Sequence, residues 1–98
     1  MNYNVLIVED EPVLARNMHL YLERQGLSCQ TAGSGEEGLA LLEDQRPDVV
    51  VLDHNLPGQD GLTVLKRMRE REPQIPVVMA TGHGSERVAV DAMKNGAF

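Results

Sequence analysis

Val49-Val50-Val51-Leu52-Asp53-His54-Asn55-Leu56-Pro57-Gly58 is the stretch on which the reading of this chain turns. Its four apolar residues are too continuous for a strand with one wet face and match a strand buried on both faces of a parallel sheet. The segment after Asp53 is rich in turn formers and cannot continue the strand, so the predicted strand closes on a carboxylate. A second run, Val5-Leu6-Ile7-Val8, also ends in acid, at Glu9, Asp10 and Glu11. If one parallel sheet holds both runs side by side, their carboxylates gather at one edge.

Outward from these two runs the chain alternates strand and helix. A third apolar run, Ile75 to Ala80, ends at Thr81. Leu27, Cys29 and Thr31 alternate with polar residues, the pattern of a strand with a wetter face at a sheet edge. A first helix starts near Pro12, lays Leu14, Met18, Tyr21 and Leu22 on one stripe and stops at Gly26. Ser34-Gly35-Glu36-Glu37 matches a capping box ahead of Leu39, Leu41 and Leu42, with Pro47 opening the next strand. A third helix begins after Asp60-Gly61, with Leu62, Leu65 and Met68 predicted inward and Lys66, Arg67, Arg69 and Arg71 solvated. A fourth begins near Ser85, carries Val88, Ala89, Ala92 and Met93, and stops at Asn95-Gly96. The order β-α-β-α-β-α-β-α implies an α/β fold, a parallel sheet with right-handed crossovers and helices on both faces. Ligands of such sheets bind beyond the carboxyl ends of the strands, where Glu9, Asp10, Asp53 and Thr81 converge.

Composition limits the alternatives. The chain of 98 residues, 42% hydrophobic, supports a single domain spanning residues 1–98. Its formal net charge of -6 argues against a nucleic-acid binder, which needs a positive face. Cys29 has no second cysteine to pair with and reads as a small buried hydrophobe. The absence of a signal peptide, lipidation motif or long apolar stretch gives a soluble cytoplasmic expectation with no membrane contact.

The acidic edge has its own chemistry. Two carboxylates about 4 Å apart repel by roughly 4 kcal/mol at an effective dielectric of about 20, so Asp10 and Asp53 need a proton or a cation between them. Oxygen ligands without a His or Cys cluster favour a hard ion such as Mg2+, which shares phosphate oxygens readily. An Asp carboxylate can act as nucleophile and form an acyl phosphate, and a divalent ion would offset its repulsion from the incoming group. Thr81, with Gly82 and Gly84 beyond it, offers a hydroxyl where there is room for that group.

These residues resemble the receiver domain of two-component response regulators. The likeness rests on VLIVED with Glu11-Pro12 after it, VVVLDHNLPGQDG, PVVMATGHG and AMKNGAF, in order and through nearly the whole chain. It implies a flavodoxin-like doubly wound parallel sheet that accepts phosphate on Asp53 from a histidine kinase or phosphotransfer protein and controls an output domain. It further implies that Asp10 and Asp53 ligate Mg2+ with the backbone carbonyl of Asn55, that Glu9 acts mainly through water, and that the Thr81 hydroxyl senses the phosphoryl group. The TGH wording and the AMKNGAF ending look most like receivers at the N-terminus of enhancer-binding transcriptional activators. Glu9 stands where many receivers carry an Asp. The family's fifth strand, with an aromatic switch residue and a phosphoryl-binding Lys, would lie past Phe98, and Lys66 and Lys94 are predicted on helix surfaces. The chain is therefore expected to be a truncated receiver of strand order 2-1-3-4. Its fourth strand would then be an apolar edge, which predicts a dimer or strand-exchanged oligomer.

Blander roles compete for the same residues. Asp53 could only initiate a turn, Asp10 and Glu11 could serve the dipole of the first helix, and Thr81 could merely end a strand. For Glu11 the helix role is preferred. His54, His83 and His19 read as loop or helix-surface residues, the methionines as core filler and Pro57-Gly58 as a structural turn. Two other functions remain open. An Asp-nucleophile phosphohydrolase would resemble this site but carry a second Asp where Asn55 stands, and an assembly module would leave the acids without a chemical role.

Overall fold

The continuous apolar runs form the two central strands of a parallel sheet. In a computed structural model, which describes residues 3–53, 55–56 and 59–80, β1 (Asn4–Val8) lies between β2 (Ser28–Ala32) and β3 (Val49–Asp53), and β3 continues to β6 (Val77–Ala80). The order β2-β1-β3-β6 is the 2-1-3-4 arrangement expected for the four principal strands, all parallel. Three helices, α1 (Pro12–Arg24), α2 (Gly35–Gln45) and α3 (Gly61–Arg71), make the crossovers.

Strand side chains alternate between two cores. Val5, Ile7, Val49 and Val51 meet Met18 and Leu22 of α1 on one face. Leu6, Val8, Val50 and Leu52 meet Leu39 and Leu42 of α2 and Val64 and Met68 of α3 on the other. The eight central strand residues are 2% exposed or less, which is why these runs carry no polar alternation. Each such side chain is worth about 1.5–3 kcal/mol relative to remaining in water.

The helix starts reflect local chemistry. Glu11 caps α1, its carboxylate accepting from Val13 N at 3.2 Å and Leu14 N at 2.7 Å, the helix role preferred for it. Ser34 Oγ accepts from Glu37 N at 3.2 Å, while the Glu37 carboxylate reaches back to Gly33 N at 3.4 Å, one residue earlier than in a standard capping box. Asp60 caps α3 through Thr63 N at 2.8 Å.

Four expectations change. Leu62 is 55% exposed, not inward, because the buried stripe of α3 runs Gly61, Val64, Met68 with Leu65 at its margin. Thr31 is exposed and Ala32 buried, so the wet face of β2 extends further than alternation implied. The last strand begins at Val77 rather than Ile75: Pro76 accepts from Val50 N at 3.0 Å but has no N–H of its own to pair. Two short antiparallel strands, β4 (Asn55–Leu56) and β5 (Gln59–Asp60), come after Asp53 where only irregular chain was predicted. The fourth helix near Ser85, the turn at Pro57-Gly58, Thr81, His54, His83 and Lys94 lie outside the described residues.

Two close approaches hold α2 in place. A Cβ on Gly38 would sit 2.8 Å from Val8 Cγ2, so only glycine lets the helix come this near to β1. Arg46 ends α2 in the left-handed conformation, φ 47, a place usually taken by glycine, and its guanidinium pairs with the largely buried Glu72 at 3.3 Å.

Candidate functional site

The strand register assembles the acidic edge. Val8 stands level with Leu52, so the next residues along, Glu9 and Asp53, face each other across the β1–β3 boundary. Glu9 N donates to Ala32 O at 2.9 Å, which keeps the chain paired one residue past β1 before it turns toward α1. A carboxylate oxygen from each of Glu9, Asp10 and Asp53 lies within 4.8 Å of the others. Nothing in the local sequence of either strand end could produce this cluster, because Asp53 lies more than forty residues from Glu9 and Asp10.

The three acids differ in solvation. Glu9 is 6% exposed, Asp53 is partly buried and Asp10 faces solvent. Burial pushes the Glu9 carboxyl up, the Glu11 N–H bonded to it at 3.1 Å pulls it down, and the Asp53 charge with hydrogen bonds to Asp53 and Asp10 raises it again, to about 7. At separations of no more than 4.8 Å, each pair of ionised carboxylates would repel by at least about 3.5 kcal/mol at an effective dielectric of about 20. A proton on Glu9 relieves that repulsion, and so would a cation. The donors are all oxygen, of graded exposure and open to water on the Asp10 side, which fits a hard ion such as Mg2+ that retains water ligands.

The structure thus brings Glu9, Asp10 and Asp53 together. Asn55 comes two residues later in β4, its backbone paired with Asp60, so the loop that carries its carbonyl is anchored to the start of α3. Thr81 lies just beyond β6, whose last residue, Ala80, is paired with Asp53; Thr81 itself is outside the described residues.

Sequence reasoning missed two features. The buried state of Glu9 is one, since the sequence marks it only as an acid after an apolar run. The other is a groove running from Glu9 and Asp10 along α1, lined by Arg16 and His19 on one side and Thr31 and Glu37 on the other. Its walls come from three elements and leave no contiguous signature. His19 pairs with Glu23 at 3.3 Å along α1, consistent with a helix-surface role.

Known proteins share this pattern. The family model described as response regulator receiver domain matches residues 5–98. The transcriptional regulatory protein AfsQ1 of Streptomyces coelicolor is 42% identical over 94 residues, 96% of this chain and 41% of that protein. The nitrogen assimilation regulatory protein NtrX of Azorhizobium caulinodans is 39% identical over 100 residues, all of this chain and 22% of that protein. Among solved structures, a receiver domain protein from Clostridium thermocellum superposes with a TM-score of 0.79 at 34% identity, covering 98% of this chain and 78% of that one. NtrX from Brucella abortus superposes with a TM-score of 0.79 at 35% identity, covering 100% of this chain and 22% of that one. The chain therefore spans between a fifth and two-fifths of these longer relatives.

Proposed function

The chain belongs to the response regulator receiver domain family, and from that premise we propose that it is a phosphorylation switch whose acceptor is Asp53. The observation that carries this reading is the meeting of Glu9, Asp10 and Asp53 within 4.8 Å at the carboxyl edge of the sheet. Asp53 is the member held at the end of a central strand, and it is only partly buried.

In the proposed step an Asp53 carboxylate oxygen attacks phosphorus of a phosphohistidine on a kinase or phosphotransfer protein. The P–O bond to Asp53 forms as the P–N bond breaks, and the departing imidazole keeps the electron pair and takes up a proton. Asp10, Asp53 and the Asn55 carbonyl would hold Mg2+, with Glu9 acting through water. When bound, that ion would neutralise charge on the acids and on the transferring group. Thr81 would bind the phosphoryl group by its hydroxyl and so report the state of Asp53.

Asn55 supplies no general acid two positions after Asp53, which supports one phosphorylation per signal over multiple turnover. The longer relatives include proteins described as transcriptional regulators. That supports an output domain joined to this one that acts in transcription, with the receiver itself touching no DNA.

The test is incubation with acetyl phosphate and Mg2+, reading intact mass for the natural chain and for Asp53→Ala. One phosphoryl group should appear on the former and none on the latter. Equal labelling of both, or of neither, would sink the assignment.

A further inference from the structure

Helix α3 reverses the sign of the surface around it. The chain carries 15 acidic and 9 basic residues, and the charged residues that α2 exposes on the same face of the sheet are all acids: Glu36, Glu37, Glu43 and Asp44. By contrast α3 exposes Lys66, Arg67, Arg69 and Arg71 against the single acid Glu70. Complementarity to the helix dipole accounts for Arg69 and Arg71 in the last turn, and Arg71 also reaches Glu43 at 3.6 Å. Neither reason covers Lys66 and Arg67, which sit mid-helix. Among the described residues Lys66, Arg67 and Arg69 make no ion pair. Lys66 with Arg69, and Arg67 with Arg71, are like charges at helical neighbour spacing, and the one opposite charge within reach on the helix, Glu70, is shared between Lys66 and Arg67. Leu62, Lys66 and Arg69 fall on one stripe at i, i+4 and i+7, and Leu62 is exposed in the first turn.

We propose that this stripe docks an acidic amphipathic segment of a partner protein, its carboxylates meeting Lys66 and Arg69 and an apolar side chain covering Leu62. Charge complementarity selects that partner: two cations that make no ion pair among the described residues flank an exposed leucine on a domain of net negative charge. A nucleic-acid backbone is the poorer fit, because the exposed carboxylates of α2 lie on the same side of the sheet and would repel it. The surface is also placed to sense the acceptor, since β5 leads from the loop after Asp53 straight into α3.

The experiment is an NMR titration of the isotope-labelled chain with a synthetic helical peptide bearing Glu and Leu on one face. A peptide of the same layout with Lys for Glu, the Glu peptide with Ser for Leu, and duplex DNA are run in parallel. The Glu-Leu peptide should shift amides between Leu62 and Arg69 and bind more weakly as salt rises. Lys66→Glu with Arg69→Glu should weaken it by at least about tenfold, and Leu62→Ala by a smaller factor. Arg71→Glu, which lies on the opposite side of α3 from Leu62, should leave binding within about twofold and controls for nonspecific charge. Shifts elsewhere, an unchanged affinity in the double variant, an equal loss in Arg71→Glu, or tighter binding of DNA at the same amides would each overturn the proposal.

Discussion

A carboxyl buried among other carboxyls resists ionisation, and Glu9 is that residue in this chain, with a carboxyl raised from 4.5 to about 7, first by burial and then by Asp53. The folded chain therefore holds the Glu9 proton more tightly than the unfolded chain does. Its contribution to stability is full below about pH 4.5 and is lost as pH rises through about 7. The amount at stake is on the order of 3 kcal/mol, at 1.36 kcal/mol per unit. Urea denaturation in chelator should show the natural chain losing stability across that window relative to Glu9→Gln, whose side chain keeps the shape without the charge. Parallel pH profiles for the two would show that Glu9 does not titrate there. Asp10 has a different part: it is exposed and adds a like charge to the cluster, so Asp10→Asn is expected to raise metal-free stability in urea denaturation while lowering Mg2+ affinity.

At the scale of elements, the close seating of α2 on β1 and the cap of α3 are the places where one side chain controls a packing contact. Gly38→Val would press its side chain into Val8, which is 0% exposed and cannot retreat to solvent. A loss of about 2–3 kcal/mol is expected, read as a lowered urea midpoint, because overpacking a filled core forces strain. Asp60→Ala removes the acceptor for Thr63 N at the start of α3 and should cost about 1 kcal/mol. The backbone pairing of Asp60 with Asn55 survives this substitution, so the variant isolates the cap from the strand pair.

At the scale of the whole molecule, the acidic site exists only while β1 and β3 are paired, so a bound cation must stabilise the fold. Mg2+ at a hundredfold excess over its dissociation constant should add about 2.7 kcal/mol, seen as a rise in melting temperature. Asp53→Ala should abolish most of that rise. By itself the sequence determined the alternation of strands and helices, the two buried central strands, the cap at Ser34 and the acids that end the strands. These come from periodicity, turn chemistry and side-chain type, all of which are local. Leu62 shows where local reading stops: it matches the apolar spacing of α3, but only packing against β3 decides that the buried stripe runs through Gly61, Val64 and Met68. Gly38 carries no mark of the 2.8 Å approach that requires it, since that distance is set by a strand thirty residues earlier in the chain. The strand order had to come from a family likeness, because hydrophobic patterns say that strands are buried but not which are neighbours. Only the tertiary structure put Val8 level with Leu52, and that register, by burying Glu9 beside Asp53, turned two separate acidic strand ends into one site.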